Sequence, residues 1–264
     1  MNTEFDQFLI SIKLKNQSLN FYREREKKYH QIHEYAKQVK ALLKRMSRKR
    51  ELTFIDCGAG SCYLSFYLNY IIDDWKIKFI CIDYNQNVIR RAEETAFALG
   101  FSNMQFICAD LTTYDPPEKP DLVYSLHACD TATDMTVFTG IRSNAANILT
   151  VSCCQRYTYR QMKGHPLGRI TEHKVYKERI TDMVSDTMRS LILESRGFDT
   201  DIFEFSSSKH TEKNVMLRAV RKPLTDKRKI TAVDDYGKLK SLFNLEPKLM
   251  EFLEKDYNFQ YLPA

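Results

Sequence analysis

The chain has 264 residues, 43% of them hydrophobic and 12% aromatic, enough for one large domain, alone or with a small appendage, around a buried core. No apolar run approaches the roughly 18–20 residues of a membrane span, and the start MNTEFDQFLI lacks the charged head and apolar stretch of a secretory signal. The net charge of +6 is unevenly spread: residues 1–50 hold 13 Lys/Arg against 5 Asp/Glu, leaving 27 against 29 for the rest.

That basic N-terminal segment has two readings, a surface for a polyanion such as RNA or a solvated helix face. Eight glycines and seven prolines exclude collagen-like and low-complexity architectures. Seven cysteines, an odd number without an export signal, are expected as reduced thiols in a cytoplasmic protein. No two are spaced C-x-x-C, so no metal site is expected.

In chain order, apolar residues at helical spacing from Tyr29 to Met46 predict amphipathic helix within 16–46, with Lys and Arg on the other face. Five apolar runs then alternate with helical stretches. Strands are predicted at Leu52–Cys57, Ile77–Asp83, Met104–Ala109, Leu122–Leu126 and Ile148–Ser152. Helices are predicted at Tyr63–Ile72, Gln86–Leu99 and Thr133–Ala146. Residues 153–173 read as a long irregular loop with interleaved Tyr, Arg, Lys and His, a candidate to stack on bases and touch phosphates.

A helix at Val175–Arg196 leads to two strands, Phe198–Phe205 and Asn214–Val220, which suit an antiparallel edge. Residues 221–229 read as a basic linker, and 232–256 as weak helix. The expected organisation is a basic helical arm over 1–50, a doubly wound, mostly parallel α/β domain over 51–222, and a helical extension over 223–264. The sheet is expected to have seven strands, the last antiparallel.

Chemistry concentrates where strands end. After the first strand comes Asp56-Cys57-Gly58-Ala59-Gly60, a pair of glycines suited to a tight turn into a helix with free N–H groups. A dinucleotide fold would want a third glycine where this chain has Tyr63, and the carboxylate of Asp56 would repel a pyrophosphate. A cationic ligand is favoured instead. The second strand ends Asp83-Tyr84, placing an acid 23 residues after Gly60 to hold ribose hydroxyls, and the third ends Ala109-Asp110-Leu111. Each acid alone could cap a helix; three at successive strand ends favour a ligand site.

This pattern resembles class I S-adenosylmethionine-dependent methyltransferases. The resemblance covers about residues 51–222 and implies S-adenosylmethionine as cofactor, with a Rossmann-like fold. It assigns the methionine part to the glycine turn (Asp56, Cys57, Gly58, Ala59, Gly60), the ribose to Asp83 with Tyr84 beside it, and the adenine amino group to Asp110 with Leu111. The family's further glycine is replaced by Cys62, which the turn tolerates if its φ is not left-handed.

The fourth strand runs into His127-Ala128-Cys129-Asp130-Thr131-Ala132-Thr133-Asp134, at the strand end that faces the transferring methyl group in this fold. With Cys153-Cys154 and Lys27-Lys28-Tyr29-His30-Gln31-Ile32, it is similar to a narrower group, the thirteen-type tRNA 2′-O-methyltransferases and the methyltransferase-like-25 proteins. Members of that group differ in what they methylate; the basic arm (13–50) and the 153–173 loop favour an RNA acceptor, with a small molecule, a protein side chain or binding without transfer as alternatives.

His127, with an ordinary pKa near ~6.5, reads equally as a general base at the cofactor or as a strand-end residue bonded to backbone. Asp130 or Asp134 could orient its imidazole, although Thr131-x-x-Asp134 also reads as a capping box. Cys129, Cys153 and Cys154 read as buried packing residues. His210 and Thr211, between the last strands, read as a turn or as residues reaching the site.

Overall fold

A computed structural model describes residues 3–207 and 214–256, so His210 and Thr211 lie outside the described residues. The strands are β1 (Leu52–Cys57), β2 (Ile77–Asp83), β3 (Met104–Cys108), β4 (Leu122–Leu126), β5 (Asn147–Val151), β6 (Phe198–Glu204) and β7 (Val215–Arg221). They form one seven-stranded sheet in the order β3-β2-β1-β4-β5-β7-β6. β1–β2, β2–β3 and β4–β5 pair in parallel, and β5–β7 pair antiparallel. The chain steps one way from β1 to β3 and the other way from β4 to β5. Right-handed crossovers therefore set their helices on opposite faces, giving the doubly wound, Rossmann-like architecture.

The chain divides into two compact units, Met1–Asp110 with Glu204–Val215, and Leu111–Phe203 with Met216–Ala264. In the first unit, α1 (Glu4–Ser11) opens on a Thr3 capping box, and α2 (Arg25–Leu43) follows residues 12–24, which an antiparallel bridge between Lys15 and Phe21 folds back. α3 (Tyr63–Ile71) and α4 (Gln86–Ala98) are the crossovers flanking β2. β1 is buried along its whole length, and Phe54 meets Phe79 of β2 edge to face at 5.7 Å. α2 buries Ile32, Tyr35, Ala36, Val39, Leu42 and Leu43 while Lys27, Lys37, Lys40, Lys44 and Arg45 face solvent. Phe8 of α1 stacks on Tyr70 at 4.2 Å, so this segment, which carried no helical signal in the sequence, is docked.

In the second unit, α5 (Thr131–Arg142) joins β4 to β5, and α8 (Lys174–Ser195) precedes β6. The expected irregular loop is instead folded, with α6 (Arg156–Gln161) and α7 (Gly168–Thr171). His165 is buried there: its Nδ1 accepts from the Leu167 N–H at 3.2 Å, its Nε2 lies 3.2 Å from the Thr171 hydroxyl, and its ring packs on Phe243. Residues 226–229, expected as linker, are the first turn of α9 (Asp226–Phe243), capped by Thr225. Met162, Val184, Met188, Phe243 and Leu245 form the cluster that docks α9 on α8, and α10 (Lys248–Lys255) follows. Among the described residues no helix is long and apolar enough to cross a membrane.

Candidate functional site

In the first unit, β1 and β2 lie in register so that Asp56 pairs with Cys81 and Cys57 with Ile82, which places Asp83 one step beyond Cys57. Between β1 and α3 the chain turns through Gly58 at φ 66° and Gly60 at φ 53°, both left-handed. A Cβ at Gly60 would meet no atom of the chain within 4 Å, so the demand for glycine there is conformational rather than steric. Cys62 also sits left-handed, at φ 53°, against the tolerance expected for it; a thiol-bearing residue holds a conformation that costs ~1–2 kcal/mol. It is fully buried, and its hydrogen bond with Cys81, together with burial and the nearby acids, keeps its thiol protonated well above the ordinary range.

Asp83 binds the turn together. One carboxylate oxygen accepts the Gly60 N–H at 2.9 Å and the other the Asn85 N–H at 2.9 Å, while Asn85 caps α4. The Ala59 N–H donates to the Ile82 carbonyl at 2.9 Å and the Ala109 N–H to the Asp83 carbonyl at 3.2 Å, so the ends of β1, β2 and β3 are laced by backbone. Asp56 is buried and takes a short hydrogen bond from the Ser65 hydroxyl. Burial raises its pKa to about 7, the Ser65 bond works against that rise, and the nearby charge of Asp83 adds to it. Tyr84 stands 84% exposed beside Asp83, and Asp110 is exposed two residues beyond β3. Cys57 is buried in β1.

Sequence reasoning found the acids but not the groups that hold them. Ser65 is the one small polar residue in the run Tyr63-Leu64-Ser65-Phe66-Tyr67-Leu68, and that break in apolar size was the available signal. The start of α2 packs on α3: Lys28 lies 4.6 Å over the Tyr63 ring, and His33 Nδ1 is 2.8 Å from the Tyr67 hydroxyl. Burial, with Arg25 adding to it, lowers the Lys28 pKa.

The second unit holds the other predicted residues. Leu111 is buried. His127 adopts φ 65° and its N–H donates to the Val151 carbonyl at 3.0 Å. Asp130 is the N-cap of α5 at φ 57°, ψ −121°, and its side chain caps nothing in that helix; Oδ1 accepts the Tyr157 N–H at 2.7 Å. The Thr131–Asp134 capping box is absent: the N-cap is Asp130, which makes Thr131 the first helical residue, and Asp134 is engaged elsewhere. Its Oδ1 accepts from Arg189 Nε at 2.7 Å, and Arg189 also reaches Asp186 at 3.1 Å and Gln155 at 2.9 Å. Burial disfavours the guanidinium charge, and Asp134 and Asp186 more than offset it, leaving the Arg189 pKa raised. Burial raises Asp186 despite the opposing guanidinium.

The cysteines depart from expectation. Cys129 is exposed and joined to Cys153 as a disulfide, with Cα atoms 5.5 Å apart, and Cys154 is half-buried. Of the loop tyrosines, Tyr159 has Lys177 Nζ 4.2 Å over its ring and Tyr157 has Lys248 Nζ at 5.9 Å, so each already carries a cation on one face.

A left-handed glycine turn between β1 and α3, closed by an acid from the next strand of a 3-2-1-4-5-7-6 sheet, is the arrangement of a Rossmann-like methyltransferase fold. The methyltransferase-domain family model matches residues 27–161, just over half of the 264, and the chain belongs to that family. No curated protein sequence matches it. Among solved structures, magnesium protoporphyrin IX methyltransferase from Synechocystis PCC 6803 with bound SAH is similar over 84% of this chain and 95% of its own, with 16% identity and a TM-score of 0.50. An rRNA methylase from Streptococcus thermophilus aligns over 71% of this chain and 95% of its own, with 10% identity and a TM-score of 0.47. The citrinin polyketide synthase CMeT domain aligns over 73% of this chain, at 12% identity and a TM-score of 0.49, and the match spans only 52% of that longer chain.

Proposed function

We propose that this chain is an S-adenosylmethionine-dependent methyltransferase whose acceptor is RNA. One observation carries the cofactor: a buried carboxyl, Asp56, held protonated to about pH 7 beside the carboxylate of Asp83 at an open glycine turn. Such a pair favours a cationic ligand and disfavours a pyrophosphate. Bound S-adenosylmethionine supplies an electrophilic methyl group on a positively charged sulfur.

The residues of the chain have the following parts in this reading. Asp56, Cys57, Gly58, Ala59 and Gly60 hold the methionine end, with the turn's shape fixed by Asp83. Asp83 keeps lone pairs for the ribose beyond its two backbone bonds, the exposed Tyr84 ring offers a face to the adenine, and Asp110 takes its amino group. The family resemblance adds Leu111 and His127 to the cofactor residues, and His127 with Asp130 to the acceptor side. Aligning the acceptor for in-line attack supplies much of the acceleration in a displacement of this kind.

The RNA acceptor rests on charge. Lys27, Lys37, Lys40, Lys44 and Arg45 are exposed in or just after α2, and Arg156, Arg160 and Lys163 are exposed in and after α6. Three basic residues of the N-terminal segment are already paired with acids: Lys27 with Glu24 at 3.6 Å, Lys37 with Glu34 at 2.7 Å and Arg48, which also stacks on Trp75, with Asp74 at 3.0 Å.

The test is transfer of labelled methyl from S-adenosylmethionine to total cellular RNA, followed by mass spectrometry of nucleosides from cells with and without the protein. The reading expects one nucleoside to lose its methyl group in cells that lack the protein, and RNA binding that weakens steeply with salt. Labelled protein or small molecules with unchanged nucleosides would transfer the assignment to those acceptors.

A further inference from the structure

A cysteine and an adjacent pair 24 residues further on converge in the second unit: the sulfurs of Cys129, Cys153 and Cys154 all lie within 4.8 Å of one another. We propose that, with the Cys129–Cys153 bond reduced, these three thiolates bind one thiophilic divalent cation, with Zn²⁺ the fitting ion. The proposal does not rest on the methyltransferase reading.

Geometry supplies the first argument. Zinc–sulfur bonds of ~2.3 Å set tetrahedral sulfurs about 3.8 Å apart, within the spread the three already have. Three thiolates satisfy a zinc ion short of one position, which water or a ligand fills.

The second argument is that the site is built, independently of the disulfide. Backbone bonds tie the loop after β4 to the loop after β5: His127 N–H to the Val151 carbonyl at 3.0 Å, and Asp130 N–H to the Cys154 carbonyl at 3.1 Å. The Tyr157 N–H returns to the Asp130 carboxylate at 2.7 Å. The two residues that bracket Cys153-Cys154 are fixed as well. Gln155 donates to the Ser152 hydroxyl at 2.8 Å, that hydroxyl donates to Asp186 at 3.3 Å, and Arg189 clamps both Gln155 and Asp134, the latter in the helix that starts just after Cys129. A ligand set on a rigid, cross-linked frame needs little reorganisation to bind.

The chemistry balances. A dithiol reductant opens the disulfide, becoming a disulfide itself while two electrons and two protons pass to Cys129 and Cys153. The three thiols then release three protons to solvent as one Zn²⁺ takes three thiolates, so affinity rises with pH.

The test uses the reduced, metal-stripped full chain, titrated with Zn²⁺ against a chromogenic chelator and, separately, with Co²⁺. One equivalent of Zn²⁺ per chain is expected, with thiolate-to-cobalt charge-transfer absorption in the ultraviolet. Cys129→Ser, Cys153→Ser and Cys154→Ser should each lower zinc affinity by at least about tenfold, while circular dichroism and cofactor affinity stay at the parent's values. Uptake below one equivalent, uptake that survives all three substitutions, or a Cys129–Cys153 cross-link whose reduction opens no metal site would overturn the proposal. Failure here leaves methyl transfer untouched, and loss of methyl transfer leaves this titration standing.

Discussion

Asp56 and Asp186 are both buried carboxyls with a second acid close by, yet their surroundings answer that burden differently. Asp186 shares the guanidinium of Arg189 with Asp134, and Gln155 and Ser152 complete the network. The influence opposing burial at Asp56 is a hydroxyl, from Ser65, while Asp83 adds negative charge. A carboxylate cluster that contains its own cation is structural, since it is complete without a ligand. A cluster that keeps its proton for lack of positive charge is one that a cationic ligand completes. The contrast separates framework from binding site inside one sheet architecture.

The largest effect should come from breaking the framework cluster. Arg189→Met would strand Asp134 and Asp186 in the interior and cost about 3–5 kcal/mol in urea denaturation. Adding Asp134→Asn and Asp186→Asn to that variant should return part of the loss, because the uncompensated charges go with them.

Asp56 should show itself through pH. The folded chain keeps the Asp56 proton up to about pH 7, whereas the unfolded chain loses it near 3.8. The native state therefore binds more protons across that window, so this contribution to stability is full below about pH 4 and is lost as pH rises through 7. At about 1.4 kcal/mol per unit, the swing is of the order of 4 kcal/mol. Asp56→Asn, which can still accept the Ser65 hydrogen bond, should flatten the profile and stand above the parent at pH 8. A parent profile already flat from pH 4 to 7 would remove the contrast.

Asp83→Ala loses the acceptors for the Gly60 and Asn85 N–H groups, so it should cost about 1–3 kcal/mol of stability as well as at least tenfold in cofactor affinity. Sequence alone predicts only the binding loss. Gly60→Ala should be milder, about 1–2 kcal/mol by thermal denaturation, because φ 53° penalises a Cβ that otherwise has room.

The first four strands and the crossover helices flanking β2 were legible because their patterns are local. β1, β2 and β4 are short apolar runs ended by Gly, Asp or His, and the observed bounds coincide with the expected ones. The strand-end acids were legible for the same reason, each following a recognisable run. What was hidden depends on partners distant in sequence. Arg189 meets Asp134 across 55 residues, and Cys129 meets Cys153 across 24 because β4 and β5 are neighbours. No spacing rule predicts either. α6 and α7 are too short to show a helical period, and α1 offers only eight residues. The left-handed Cys62 was misjudged because a side chain argues against that conformation, although the family's glycine at this position pointed to it.

Calorimetric titration of the purified chain with S-adenosylmethionine, repeated from pH 5 to pH 8 in buffers of differing ionisation enthalpy, bears most directly on the acid cluster at the glycine turn. Binding of the sulfonium should tighten as pH rises toward 7, with proton release near neutrality that Asp56→Asn abolishes. No binding, or an affinity indifferent to pH and to that substitution, would contradict the assignment of these acids to a cationic cofactor.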